Sequence, residues 1–98
     1  GINPANDGTI IRIVFPPLTE ERRKDICKQV RKQAEEAKIA IRSVRRDAND
    51  KFKAMKKASE IGEDDQKDLE DETQKLTDKS CKTVDDLAAN KEKEILEI

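Results

Sequence analysis

Three arginines, Arg42, Arg45 and Arg46, stand at i, i+3 and i+4 within Arg42-Ser-Val-Arg-Arg-Asp-Ala-Asn-Asp-Lys51. On a helix this spacing puts three like charges on one face, where each exposed pair is destabilising by roughly 0.2–0.5 kcal/mol. Arg46 has Asp50 and Asp47 has Lys51 at i+4, so those two pairs can form within one helix. Arg42 and Arg45 have no acid at i±3 or i±4. Lys24, Lys28, Arg31, Lys38 and Lys53 extend the same basic stripe. Arginine presents a planar fork of donors suited to phosphate oxygens, so the pattern points to a polyanion read along its backbone. No aromatic residue interleaves the stripe, which disfavours base stacking on a single strand and favours structured RNA.

Other chemistries lack their residues. The chain has no His, so no ordinary Ser/His or Cys/His nucleophile pair exists. Its 3 Gly form neither a phosphate-cradling loop nor a dinucleotide fingerprint. The 2 Cys, Cys27 and Cys81, have no metal-ligand spacing. No enzyme activity, cofactor or metal is expected. The many carboxylates fit solvated helix faces.

The 98 residues suit one small domain at most. With 44% charged and 2% aromatic residues, the chain must be either a long charged helical assembly or disordered, and the periodicity favours helix. The net charge of −1 conceals a division. Residues 20–58 hold 14 Lys/Arg against 7 Asp/Glu, a net +7, whereas residues 59–98 hold 6 against 14, a net −8. The basic half is the candidate for a polyanionic partner. No apolar run is long enough for a signal peptide or a membrane span, so the expectation is a cytoplasmic protein with no membrane partner.

Residues 1–8 are turn formers, and Thr9–Phe15 alternates as a β-strand with no second strand later in the chain. A lone strand cannot satisfy its backbone, so part of the molecule is expected to be missing. Pro16-Pro17 stops the strand, and Thr19 is placed to cap a helix whose first turn carries Glu20 and Glu21. Apolar residues then recur at Ile26, Val30, Ala34, Ala37, Ile41, Val44, Ala48, Phe52 and Met55. This predicts a helix over about 20–58, roughly 58 Å long. Ser59-Glu-Ile-Gly62 breaks it. A second helix over about 63–97 follows, with a seam of Leu69, Thr73, Leu76, Ser80, Val84, Leu87, Lys91, Ile95 and Ile98. So short a turn implies an antiparallel hairpin. A turn centred near residue 60 places Cys27 opposite about residue 94 and Cys81 opposite about residue 40, which separates the sulfurs by roughly 20 Å and forbids a disulfide. The segment opposite the arginines, Gln74–Lys82, offers only Asp78 as an acid, leaving Arg42 and Arg45 without an obvious partner in the chain. Two helices alone expose much of their seam, so the hairpin needs a third helix or a second copy, and self-association as a four-helix dimer is expected.

Gly1-Ile-Asn-Pro4, Pro16-Pro-Leu-Thr-Glu-Glu-Arg-Arg-Lys-Asp25, Arg42–Lys51, Ile61 with Glu63-Asp-Asp65, and Gln74-Lys-Leu-Thr-Asp78 together resemble the C-terminal half of bacterial ribosome recycling factors. The resemblance implies an L-shaped parent similar in outline to transfer RNA, with a three-helix bundle joined by a two-stranded hinge to a small β-rich domain. Residues 1–17 would be the remnant of that small domain and its hinge, with Pro16, Pro17 and Leu18 in one hinge strand. Residues 18–98 would be two of the bundle helices. The parent would bind the post-termination ribosome through large-subunit RNA and, with elongation factor G and GTP hydrolysis, split it into subunits. Arg42, Arg45 and Arg46 would face the RNA, with Arg31, Lys38 and Lys53 extending the contact. The family's N-terminal half and an initiator Met are absent, so the chain resembles a fragment. Two readings independent of the resemblance remain: a purely structural helical module whose basic and acidic halves neutralise each other, and a nonspecific nucleic-acid binder.

Overall fold

The computed structural model describes residues 18–97. The strand expected over Thr9–Phe15, the hinge prolines Pro16 and Pro17, and Ile98 lie outside them. Two helices account for nearly all the rest: α1, Glu20–Lys57, and α2, Glu63–Glu97, packed as an antiparallel hairpin. Among the described residues no helix is long and apolar enough to cross a membrane.

The ends of the helices follow from local chemistry. Thr19 is extended (φ −71°, ψ 158°) and its Oγ1 accepts the backbone N–H of Arg22 at 3.0 Å, satisfying one of the orphan donors of the first turn. Glu20 and Glu21 face the positive end of the α1 dipole, and Lys56 and Lys57 the negative end. The chain leaves α1 through two crossed bonds: Glu60 N–H donates to the Met55 carbonyl at 2.8 Å and Ser59 N–H to that of Lys56 at 2.9 Å. This is the Schellman termination, which needs a left-handed residue, and Ser59 occupies it at φ 62°. Gly62 then precedes α2. Its carbonyl accepts the Gln66 N–H at 3.0 Å, and Glu63, Asp64 and Asp65 fill the first turn. The last turn of α2 has no basic residue of its own, but Arg23 reaches from the start of α1 and donates Nη1 to the Leu96 carbonyl at 3.2 Å.

The contact between the helices is narrow. Cys27, Ile95 and Thr77 are the buried residues among those described, at 3%, 7% and 7% exposure. Ile26, Ala34, Ile41, Ala48, Phe52 and Met55 of α1 are half-buried, as expected, and so are Thr73, Val84 and Ala88 of α2. Four seam positions depart from expectation: Val44, Leu76 and Leu87 are 67%, 65% and 64% exposed, and Lys91 is exposed as well. The apolar arc of each helix is wider than a single helix contact can cover. The hairpin uses the flank containing Thr77, Ala88 and Ile95, and the leucine flank is left facing outward. With Ile41, Thr73, Thr77 and Ser80, Val44 and Leu76 line an open apolar groove of about 230 Å³. Both cysteines are free thiols, as the register requires.

Candidate nucleic-acid interface

The arginine cluster lies just past the middle of α1, in its C-terminal half. At about 100° per residue, Arg42, Arg46 and Lys53 fall within about 40° of arc and within about 17 Å along the axis. All three are exposed, and none makes a side-chain hydrogen bond or ion pair among the described residues. The pairs Arg46–Asp50 and Asp47–Lys51, both possible from spacing, do not form. Neither holds its partners within 4.0 Å. An exposed i,i+4 pair gains too little to immobilise two side chains, and Arg46 precedes its acid, the less favourable order against the helix dipole.

The flank of α1 next to this stripe faces α2, and there the cations are paired at a regular interval. Arg31 Nε sits 2.6 Å from Glu92 Oε1. Seven residues on, Lys38 Nζ sits 2.9 Å from Asp85 Oδ1 and 3.3 Å from Glu35 Oε2. The hydrogen bonds that the Lys38 ammonium donates to Asp85 and then to Glu35 raise its pKa above the usual 10.5. Arg31 and Lys38, both candidates for RNA contact, are therefore engaged across the hairpin. Their charge is largely answered within the chain.

Seven residues further on the same interval brings Arg45 to the interface, with Asp78 next in register on α2. The ion pair is not repeated. Arg45 Nη1 donates to Gln74 Oε1 at 3.0 Å, and Gln74 Nε2 in turn donates to Asp78 Oδ1 at 2.9 Å. Arg45 thus has a partner across the hairpin, contrary to the sequence expectation, but that partner is an uncharged amide. Its Nε is buried without a hydrogen bond, and the half-buried side chain lines the groove beside Ile41, Val44 and Thr77. A count of acids opposite the arginines passes over Gln74. The usable signal in the sequence is an amide four residues before Asp78, a spacing that lets the acid orient it. Leu18, the described member of the expected hinge, is 39% exposed immediately before the α1 cap.

Residues 1–96 match the sequence model of the family described as ribosome recycling factor. The chain is 58% identical over all 98 residues to the ribosome-recycling factor of Caldicellulosiruptor saccharolyticus, covering 53% of that protein. It is 59% identical, again over 98 residues and 53% of the relative, to that of Bacillus thuringiensis, and equally to that of Bacillus cereus. The chain therefore spans about half the length of the curated relatives it matches.

Proposed function

The chain belongs to the ribosome recycling factor family, and we propose that its two helices form part of a bundle that docks on ribosomal RNA through Arg42, Arg45 and Arg46. In this reading the parent protein binds the post-termination ribosome on its large subunit and, with elongation factor G, promotes its dissociation into subunits in the cytoplasm. Residues 1–17 belong to the small domain and hinge, with Pro16, Pro17 and Leu18 at the pivot. Residues 18–98 belong to the bundle.

The observation that carries the proposal is the contrast within one helix. Arg31 and Lys38 are matched by Glu92 and Asp85, whereas Arg42, Arg46 and Lys53 meet no acid among the described residues. A module whose two halves merely neutralised each other would pair these cations as it pairs Arg31 and Lys38. Three unpaired cations on one narrow strip suit a track of phosphates, which fixes orientation without reading sequence.

Co-sedimentation with salt-washed large ribosomal subunits tests this. Changing Arg42, Arg45 and Arg46 together to Ala should weaken binding sharply while circular dichroism shows equal helicity. Undiminished binding by that variant would place the ribosome contact elsewhere.

A further inference from the structure

The ladder of cations across the hairpin has a third rung built differently from the first two. Arg31–Glu92 and Lys38–Asp85 share one register, and the same register pairs Arg45 with Asp78. Gln74 stands between them instead, accepting from Arg45 and donating to Asp78. The consequence is chemical. A carboxylate in contact with a guanidinium holds it and cancels its charge, whereas an amide oxygen holds it and leaves the charge intact. Asp78 adds the direction: by accepting from the Gln74 amide nitrogen it obliges the amide oxygen to face Arg45.

We propose that Gln74 is a positioning residue for the anion-binding face, fixing the Arg45 guanidinium in a single orientation without neutralising it, so that the third rung remains open to a phosphate. The proposal rests on the ribosomal reading given above and adds an α2 residue to a face otherwise made by α1. Two features of the site support it. The buried, unpartnered Nε of Arg45 and the place of its half-buried side chain against the groove restrain the base of the side chain, so the single bond from Nη1 decides where the outer edge points. Phosphate contact by arginine depends on the orientation of that fork, which makes holding it in place beforehand worthwhile.

The experiment measures binding of the full chain to salt-washed large ribosomal subunits across a range of salt, for wild type, Gln74→Ala, Gln74→Glu and Arg42→Ala. Gln74→Ala releases the fork but keeps its charge. It should weaken binding about 3- to 10-fold, the scale of ordering one rotamer-rich side chain, with the slope of log affinity against log salt unchanged. Gln74→Glu retains an acceptor but cancels the charge, so its slope should fall by a little under one. A merely structural glutamine would not produce that separation. Wild-type affinity in Gln74→Ala, with Arg42→Ala weakened, overturns the proposal and leaves the ribosomal reading standing. An unchanged slope in Gln74→Glu overturns the claim that the amide preserves Arg45's charge, and it decides the matter even if Gln74→Ala proves less helical. Equal behaviour of wild type and Arg42→Ala, whether both bind or neither does, removes the ribosomal reading and this proposal with it.

Discussion

The turn carries a serine and a glycine in each other's preferred places, and exchanging them should stabilise the hairpin. Ser59 is the left-handed residue of the α1 termination, at φ 62°. Holding a residue with a Cβ there costs about 1–2 kcal/mol, and glycine relieves this against about 0.5–1 kcal/mol of its own chain entropy. The net gain from Ser59→Gly is about 0.5 kcal/mol. Gly62, by contrast, caps α2 without a positive φ, and a Cβ added there meets nothing within 4 Å. Gly62→Ser should gain a few tenths of a kcal/mol from its hydroxyl as a cap and about 0.4–1 kcal/mol from a less flexible unfolded chain. The double variant should then gain about 1.5 kcal/mol, raising Tm by about 6–12 °C for a unit of this size. Neighbouring substitutions in one turn can couple, so both single variants are needed alongside the double. Thermal melts followed by circular dichroism at matched protein concentrations give the answer, because association would shift the midpoint by itself. A lower Tm for Ser59→Gly would refute the left-handed termination. A lower Tm for Gly62→Ser would refute the open cap.

Further outcomes follow from the same contacts. The outward leucine flank should drive self-association of this chain, visible as a concentration-dependent sedimentation coefficient; Leu76→Glu with Leu87→Glu should abolish it, and a fully helical monomer at tens of micromolar would contradict it. Lys38 has a folded pKa raised by Asp85 and Glu35, so its stabilising contribution is complete below its usual value and is lost as pH rises through the raised one. The Tm difference between wild type and Asp85→Asn should therefore shrink as pH rises above about 10.5, and a constant difference would show that the pair contributes nothing.

Much of this hairpin can be read directly from residues. Thr19, the paired glutamates after it and the Ser59–Gly62 break place both helices to within a residue, because caps and breakers act over a few neighbouring backbone groups. The register also follows, since two rigid helices joined by so short a turn have little freedom to slide, and that is enough to keep Cys27 and Cys81 apart. Which flank of each apolar arc meets the other helix does not follow. Leu76 and Thr77 stand at opposite edges of an arc wider than the contact, and only the three-dimensional packing puts Thr77 inside and Leu76 outside. The site divides similarly. The surplus of cations on α1 is a matter of counting, but the pairing that sets Arg31 and Lys38 apart from Arg42 and Arg46 depends on side chains across the hairpin. A neutral partner such as Gln74 leaves no trace in a tally of charge.

The central claim is that the arginine face meets phosphate, and the salt dependence of binding to large ribosomal subunits tests it most directly. Wild-type affinity should fall linearly on logarithmic axes. With Arg42, Arg45 and Arg46 all changed to Ala the slope should be shallower by about two to three, at slightly under one per lost phosphate contact. Parallel lines for two equally helical proteins would contradict the account, leaving these arginines with no part in binding.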